Sequence, residues 1–169
     1  MRIQRIIFLL KRRVREWRAL RSIKSHHGSV YISGGAYKTS LSSKTELGFN
    51  PNFNGMTIKG NGRVVFGDNF HSGEGCLILT SNHNYNGNAL PYDETDIDKD
   101  VIIGNNVWFG DRVIVMGGVK IGDGCIIQAG AVVVKDIPDL GIAGGNPAQV
   151  FKYRDKEHYY SLLEKGLFH

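Results

Sequence analysis

The sequence predicts an all-β solenoid, a parallel β-helix in which short strands repeat every six residues. Between residues 103 and 138 the chain divides into six consecutive hexads, IGNNVW, FGDRVI, VMGGVK, IGDGCI, IQAGAV and VVKDIP. The first and fifth positions of every hexad hold an apolar or small residue, although only 41% of the chain is hydrophobic. A 3.6-residue helix would scatter these positions around its axis, whereas short strands joined by turns keep them inside. Three hexads would close one triangular coil.

Glycine and the rest of the chain fit the same fold. The 22 glycines are typical of a turn-rich β architecture, and those within the hexads lie near the expected turns. Residues 66–83 contain three further regular hexads, whereas residues 30–65 are rich in Ser, Gly and Asn and follow the period poorly. Terminal repeats are often atypical, so these residues are interpreted as irregular early coils. About five coils are expected.

The hexad count is interrupted once, by residues 83–102. This segment is polar and aromatic, with Asn, Asp, Glu and Tyr along most of its length. We interpret it as a loop extruded from one corner of the solenoid. Long loops on a rigid scaffold are where binding and catalytic residues are usually found.

Residues 1–24 predict a basic amphipathic helix. Apolar residues recur at helical spacing with basic residues between them. The segment is not expected to be a secretory signal, because its apolar run 6–10 is only five residues and is followed at once by Lys11, Arg12 and Arg13. Nor can it span a bilayer, which needs about 20 apolar residues. It could lie on an anionic membrane surface or pack on a neighbouring subunit, and the sequence leaves both open.

Charge is concentrated in this segment. Residues 1–25 hold nine Lys or Arg and one acid, and the other 144 residues hold twelve bases and fifteen acids. The solenoid therefore has no basic stripe of the kind that binds nucleic acid, and no nucleic-acid partner is expected. The predicted organisation is a helix over 1–27, the β-helix over 28–146 with its loop 83–102, and a C-terminal extension over 147–169. A helix is expected over 155–165, ended by Gly166.

The two cysteines, Cys76 and Cys125, each occupy the fifth position of a hexad. Inward-facing, reduced thiols in a cytosolic protein are the simplest interpretation, and a disulfide is the alternative.

The hexads 103–138, with residues 143–148 (AGGNPA), resemble the bacterial hexapeptide-repeat transferases. Within that family the chain is most similar to coenzyme A-dependent O-acetyltransferases of sugars and to the related xenobiotic acetyltransferases. The close similarity covers about residues 103–154, with a fainter one over 66–85. The resemblance implies a left-handed β-helix and a homotrimer whose active sites lie in grooves between adjacent subunits.

The resemblance also assigns site residues. Acyl transfer to a hydroxyl needs a proton acceptor, and histidine is suited to that task near neutral pH. His83, within Asn82-His83-Asn84-Tyr85, stands where the family has its catalytic histidine, and its neighbours are the predicted substrate-binding residues. The alternative is that His83 only satisfies loop carbonyls. A backbone carbonyl or one of Glu74, Asp93 and Glu94 could orient it, and the sequence does not choose among them.

The cofactor-binding residues are also implied by the family. Trp108 is expected to line the acetyl-coenzyme A groove, unless it packs at a subunit interface. Lys135 and Lys152 are expected to meet coenzyme A phosphates, and Gly145 and Ala148 to allow close approach of the cofactor. His71 lies twelve residues before His83, so the two should occupy different faces. A hexapeptide-repeat carbonic anhydrase needs three histidines on its zinc, and the predicted solenoid holds only His71 and His83. No metal is therefore expected.

The sequence and the resemblance together predict an acetyl-coenzyme A-dependent O-acetyltransferase acting on a saccharide hydroxyl, such as a surface-polysaccharide unit or its precursor. Transfer would be direct, with histidine as general base. Acetylation of an antibiotic and a non-catalytic β-helix scaffold are the alternatives. A cytoplasmic location is expected, either free or at the inner face of the plasma membrane.

Overall fold

A computed structural model describes residues 2–21, 23–33 and 36–169, without the side chains of Arg2, Ile3 and Arg5. The element order is helix α1 (Arg2–Leu20), strands β1 to β18, and helix α2 (Lys156–Glu164). The strands are β1 Ser25–His26, β2 Tyr31–Ile32, β3 Thr45–Leu47, β4 Asn52–Asn54, β5 Thr57–Lys59, β6 Val64–Phe66, β7 His71–Glu74, β8 Leu77–Leu79, β9 Ser81–His83, β10 Asp96–Asp98, β11 Val101–Ile103, β12 Trp108–Phe109, β13 Ile114–Met116, β14 Lys120–Ile121, β15 Ile126–Ile127, β16 Val132–Val133, β17 Gly141–Gly144 and β18 Gln149–Tyr153.

Three sheets run the length of the solenoid, and the chain visits them in turn. Face A holds β1, β3, β6, β11 and β14; face B holds β2, β4, β7, β12, β15 and β17; face C holds β5, β8, β13 and β16. All pairs within these sets are parallel, and β18 adds to β17 antiparallel at the end of face B. The predicted parallel β-helix of hexapeptide repeats between two helices is therefore confirmed. It has about six turns rather than five, because β1, β2 and Ser40 form a first turn, one on each face.

The hexad positions form the core. All twelve apolar or small residues at the first and fifth positions of the hexads 103–138 are at most 4% exposed. The strands within these hexads are only two or three residues long, so one inward side chain per strand and one per corner fill the triangular interior. These residues are Ile103, Val107, Phe109, Val113, Val115, Val119, Ile121, Cys125, Ile127, Ala131, Val133 and Ile137.

Polar side chains stack along the corner between faces A and B. Asn50, Asn69 and Asn106 adopt φ of 54°, 55° and 55°, the left-handed region that asparagine tolerates better than most residues. The Asn50 amide donates to Asn69 at 3.1 Å, Asn69 to Asn106 at 2.9 Å, and Asn106 to the Tyr159 hydroxyl of α2 at 3.0 Å. This asparagine ladder joins successive coils and ties the C-terminal helix to the solenoid.

Face A carries an ionic link across the first three coils. The Glu46 carboxylate accepts from Lys24 Nζ at 2.7 Å and from Arg63 Nε at 2.6 Å. The Arg63 hydrogen bond, and then the Lys24 one, lower the pKa of Glu46 to about 2. Glu46 therefore holds β1, β3 and β6 together as an ionised group.

Both helices are present, with bounds that differ from the sequence interpretation. Helix α1 ends at Leu20 rather than near residue 27, and the Lys24 N–H already donates to Thr45 O of the next coil at 3.0 Å. Helix α2 begins after Asp155, whose carboxylate accepts from the His158 N–H, and Gly166 follows its end at φ 62°. No helix in the described part of the chain is long and apolar enough to cross a bilayer. Met1 and Ser22, within the predicted helical segment, lie outside the described residues.

The cysteines are buried free thiols, as predicted. Cys76 is 2% exposed and Cys125 is fully buried. Cys125 Sγ donates to Pro138 O at 3.0 Å and Cys76 Sγ to Gly110 O at 3.3 Å. Burial raises the pKa of both thiols to about 11, so they stay protonated near neutral pH and are poor nucleophiles.

Candidate active site

The extruded loop contains a short hairpin that carries His83. The loop leaves the solenoid after β8 on face C and returns at β11 on face A, so it stands on the corner that we term the C–A corner, formed by residues 60–63, 80–100, 117–119 and 134–136. Strands β9 and β10 pair antiparallel, with His83 opposite Asp96. The Lys99 N–H donates to Thr80 O at 2.8 Å and closes the base of the loop. His83 is therefore held on a paired strand rather than on an unsupported turn.

Asp96 orients the His83 imidazole. His83 Nδ1 lies 2.9 Å from Asp96 Oδ1. Because an ionised carboxylate can only accept, this hydrogen bond places the imidazole proton on Nδ1 and leaves a lone pair on Nε2. No described residue forms a hydrogen bond with Nε2. The pair has the base and orienting acceptor that general-base catalysis requires.

The orienting group is thus none of the three carboxylates suggested by the sequence. Asp93 is occupied within the loop: it accepts from the Thr95 hydroxyl at 2.6 Å, the Thr95 N–H at 2.9 Å and the Asn88 N–H at 3.0 Å. These hydrogen bonds, the Thr95 hydroxyl first, lower the pKa of Asp93. Glu74 belongs to β7 on face B.

Tyr92 supports the imidazole from its face. The two rings stack with centroids 4.0 Å apart and planes 15° apart. This contact restricts rotation of His83 about its side-chain bonds while leaving the ring edge accessible, since the side chain remains 59% exposed. Tyr92 is a site residue that the sequence analysis did not single out.

An open cleft of about 650 Å³ lies beside His83. We term it the loop cleft; its walls are His83, Asn88, Ala89 and residues 92–96. None of the three predicted substrate-binding residues is among these walls. Asn82 is exposed on β9, and Tyr85 is 69% exposed. Asn84 instead holds the loop, since its amide donates to Thr95 Oγ1 at 3.0 Å and its N–H donates to Thr95 O at 2.9 Å.

Trp108 lies away from the loop cleft of its own chain. It begins β12 on face B, where its ring is 54% exposed. It lines a second cleft, of about 350 Å³, between face B and the C-terminal residues, with His71, Tyr159 and Phe168 among the other walls. Burial, and then the charge of His169, lower the pKa of His71. His71 and His83 therefore lie on different sides of the prism, as their spacing predicts.

The other predicted cofactor residues divide between two sides. Lys135 lies at the C–A corner, two coils beyond the loop, and Lys152 lies on β18 at the end of face B. Both are exposed, and neither ammonium group has an ionic or hydrogen-bonding partner among the described residues. Gly145 (φ 93°) and Ala148 flank Val132 of face C, whose N–H donates to Gly145 O and whose carbonyl accepts from Ala148 N–H.

A further lysine at the C–A corner was missed by the sequence analysis. Gly117 and Gly118 form this corner one coil beyond the loop, and Lys99 lies over them. A Cβ added to Gly117 would lie 3.0 Å from the Lys99 Cβ, and one added to Gly118 3.4 Å from its Cδ. The paired glycines thus make room for the chain returning from the loop. Among the described residues, no group of three or more His, Cys, Asp and Glu side chains is placed to hold a metal ion.

Comparison with known sequences identifies the repeat. Residues 100–135 match the family described as bacterial transferase hexapeptide (six repeats). Galactoside O-acetyltransferase of Escherichia coli (strain K12) is 36% identical over 115 residues, which cover 66% of this chain and 56% of that protein. Chloramphenicol acetyltransferase of Agrobacterium fabrum (strain C58) is 42% identical over 64 residues, 38% of this chain and 31% of that protein. The chain thus spans about half or less of the length of these relatives.

Solved structures agree with this result. A galactoside acetyltransferase in complex with coenzyme A aligns with a TM-score of 0.58 and 26% identity, over 80% of this chain and 67% of that one. The shared region therefore includes most of the solenoid, and the aligned structure holds coenzyme A.

Proposed function

We propose that this chain, which carries the bacterial transferase hexapeptide repeat over residues 100–135, is an acetyl-coenzyme A-dependent O-acetyltransferase acting on a saccharide hydroxyl. The observation that carries the proposal is the 2.9 Å hydrogen bond between His83 Nδ1 and Asp96. A histidine held in this way, at the edge of an open polar cleft, is equipped to deprotonate an alcohol.

The chemistry needs one proton acceptor and no covalent enzyme intermediate. His83 Nε2 takes the proton of the acceptor hydroxyl as its oxygen bonds to the acetyl carbon, and the imidazolium then returns that proton to the departing sulfur. The Asp96 carboxylate stabilises the imidazolium and keeps the ring in position. Cys76 and Cys125 are buried and protonated, so neither serves as a nucleophile.

Acetyl-coenzyme A would supply the activated acetyl group as a thioester. The unpaired ammonium groups of Lys135 and Lys152 suit its phosphates, and the exposed Trp108 ring suits an apolar or aromatic part. Gly145 leaves open space beside its backbone, since a Cβ there would meet only Pro147 O at 3.5 Å. These residues fit the cofactor, although they lie on two sides of one prism.

That division supports an active site shared between subunits. Trp108 and Lys152 belong to face B, whereas His83 and Lys135 belong to the opposite C–A corner. In a homotrimer of prisms, face B of one subunit can meet the C–A corner of the next, and each groove would then hold both sets. We propose this assembly as the active form.

A saccharide is the favoured acceptor, in the form of a surface-polysaccharide unit or its precursor. The loop cleft is lined by amide, carboxylate and hydroxyl groups with the Tyr92 ring on one wall, the combination that suits a polyhydroxylated ring. The galactoside O-acetyltransferase relative supports this class. The chloramphenicol acetyltransferase relative supports the alternative, an antibiotic hydroxyl.

Release of free coenzyme A from acetyl-coenzyme A tests the proposal. Wild type should turn over with a member of a panel of mono- and oligosaccharides, and His83→Ala should lower kcat by about two to four orders of magnitude. His158→Ala, which removes an exposed imidazole from α2, serves as the control and should keep full activity. Turnover with chloramphenicol alone would favour the antibiotic reaction. If no acceptor is used and calorimetry detects no coenzyme A binding, the chain is a scaffold.

Mixed assembly tests the shared site. His83→Ala and Trp108→Ala chains would be co-expressed with different tags, and doubly tagged oligomers purified. If each groove combines His83 of one subunit with Trp108 of the next, one of the three grooves in every mixed trimer regains both residues. The activity recovered should then exceed that of either parent variant. Activity no higher than the average of the two parents would mean that each site is contained in one chain.

A further inference from the structure

Helix α1 closes the open end of the solenoid with its polar side. Ala19 is 6% exposed and belongs to the hydrophobic core, with Leu20 packed against it. Two turns before Ala19, the Arg12 guanidinium lies 4.8 Å from the Tyr31 ring centroid. It also pairs at 2.7 Å with Glu16, which lies one turn before Ala19. Among the described side chains of α1, those at least partly buried are therefore Arg12, Arg15, Glu16, Ala19 and Leu20, three of them charged.

The apolar face of α1 points the opposite way. At 100° per residue, five of its apolar side chains fall within about 100° of arc on the side away from Ala19, and Phe8 and Leu9 lie outside that arc. Each is at least 45% exposed, and the most exposed is Trp17 at 62%. We term these residues the apolar stripe: Ile6, Ile7, Leu10, Val14 and Trp17.

This orientation is the reverse of what a helix that only caps a solenoid requires. A terminal cap keeps a solenoid soluble by covering the core with its apolar side and presenting a polar outer face. Here the outer face carries the apolar stripe, and contiguous exposed apolar surface marks an interaction site. The helix is thus built to contact something beyond the solenoid.

The charges beside the apolar stripe select the partner. Lys11 and Arg18 lie along one edge of the stripe and Arg13 along the other, all three exposed. The helix has one acid, Glu16, and this is already paired with Arg12. Packing two copies of the stripe against each other would bring two rows of cations together. An anionic bilayer instead receives the apolar side chains between its headgroups while its phosphates neutralise the cations.

We propose that α1 lies in the interface of an anionic lipid bilayer, with the apolar stripe among the acyl chains and Lys11, Arg13 and Arg18 at the lipid phosphates. Trp17 then occupies the depth that tryptophan prefers at membrane surfaces. The solenoid is then attached to the bilayer through its first turn, and the C–A corner and face B remain exposed to water. The proposal is independent of the enzymatic activity.

Co-sedimentation of the full chain with vesicles tests the proposal. Vesicles of phosphatidylcholine with about 30% phosphatidylglycerol should retain the protein, and neutral phosphatidylcholine vesicles should retain much less. The double variant Leu10→Gln, Trp17→Gln should lower the partition coefficient about tenfold or more. Phe151→Gln, at an apolar residue 58% exposed on β18, is the matched control and should bind like wild type.

A second pair of variants tests whether vesicle binding depends on the cations beside the apolar stripe or only on the net charge of the protein. Lys11→Gln, Arg13→Gln removes two cations beside the stripe, and Lys59→Gln, Lys156→Gln removes two elsewhere. Only the first should weaken binding to anionic vesicles, and added salt should weaken binding of the wild type. Equal loss in both would overturn the assignment of the surface to α1.

Fluorescence and oligomeric state complete the test. The tryptophan fluorescence maximum should shift to shorter wavelength when the protein binds vesicles. The Trp17→Phe variant should lose this shift and still bind. Folded protein that does not sediment with anionic vesicles would contradict the proposal. If the double variant of Leu10 and Trp17 instead changes the mass in solution, measured by sedimentation velocity, the stripe is an interface between copies.

Discussion

At the residue scale, the pairing of His83 with Asp96 defines what the loop can do. His83 was identifiable from the sequence because it stands where the hexad count is interrupted. Asp96 was not, because the hairpin register that brings it opposite His83 arises only when β9 and β10 pair. Tyr92 was missed for a related reason: ring stacking depends on the path of a loop, which no periodicity encodes.

Asp96→Asn should lower kcat by about tenfold to a hundredfold. The amide oxygen can still accept from Nδ1, so the hairpin should persist, but the negative charge that stabilises the imidazolium is lost. KM for acetyl-coenzyme A should stay unchanged, since Asp96 is expected to act through His83. Steady-state kinetics with the acceptor found above provide the measurement.

Asp98→Asn is the matched control for that experiment. Asp98 lies two residues along the same strand, and its carboxylate accepts a hydrogen bond from the Ser81 hydroxyl. The substitution removes the same charge from the same hairpin, yet it should leave kcat close to wild type. Equal losses in both variants would assign the effect to the hairpin rather than to His83.

At the element scale, corners and faces are fastened by polar contacts between coils. The asparagine ladder and the Glu46 link both connect residues that are 17 to 37 positions apart in sequence. The hexad pattern predicted where the corners lie, since the turn residues recur with the strands. It could not predict which side chains bond across coils, because the interrupting loop changes the sequence distance between neighbours.

Replacing Asn106 tests the ladder. Asn106→Ala should lower the free energy of unfolding by about 3 kcal/mol, from two lost hydrogen bonds and from an alanine held in the left-handed region. Asn106→Gly loses the same bonds without the backbone cost, and should be more stable than the alanine variant by about 1 kcal/mol. Urea denaturation followed by circular dichroism measures both. Identical midpoints would mean that the backbone conformation of residue 106 is not a source of stability.

The Glu46 link makes a pH-dependent contribution to stability. Because its pKa is lowered to about 2, the contribution is fully present above the ordinary glutamate value and is lost as pH falls from about 4.5 through about 2. Glu46→Gln should lower Tm by about 2 °C at pH 7, since exposed ion pairs stabilise modestly, and the difference should vanish towards pH 2.

Glu164→Gln, at an exposed carboxylate on α2, is the control for that series. It removes the same charge far from face A, so its Tm should follow the wild type across the pH range. Calorimetric scans at several pH values provide the comparison. A Glu46→Gln difference that persists unchanged at pH 2 would contradict a role for the ionised carboxylate.

At the scale of the whole molecule, one periodicity was enough to predict the fold. Each hexad contributes two buried residues, so the pattern directly reports the core. The arrangement of the site residues was less predictable. The family resemblance named His83 and Trp108 together, but the three-faced topology places them on opposite sides of the prism. The direction in which α1 presents its apolar stripe was also beyond the sequence, because it depends on which side of the helix meets the first turn.

The closed base of the extruded loop separates the variable tip of the loop from the solenoid that carries it. Thr80 and Lys99 are joined by one backbone hydrogen bond, and the pairing of β9 with β10 continues outward from it. Residues 85–91, which lie beyond the paired strands and before Tyr92, can therefore change in length or composition while His83 stays opposite Asp96. Replacing only these residues would change the wall of the loop cleft at Asn88 and Ala89 and so alter which molecules the cleft admits.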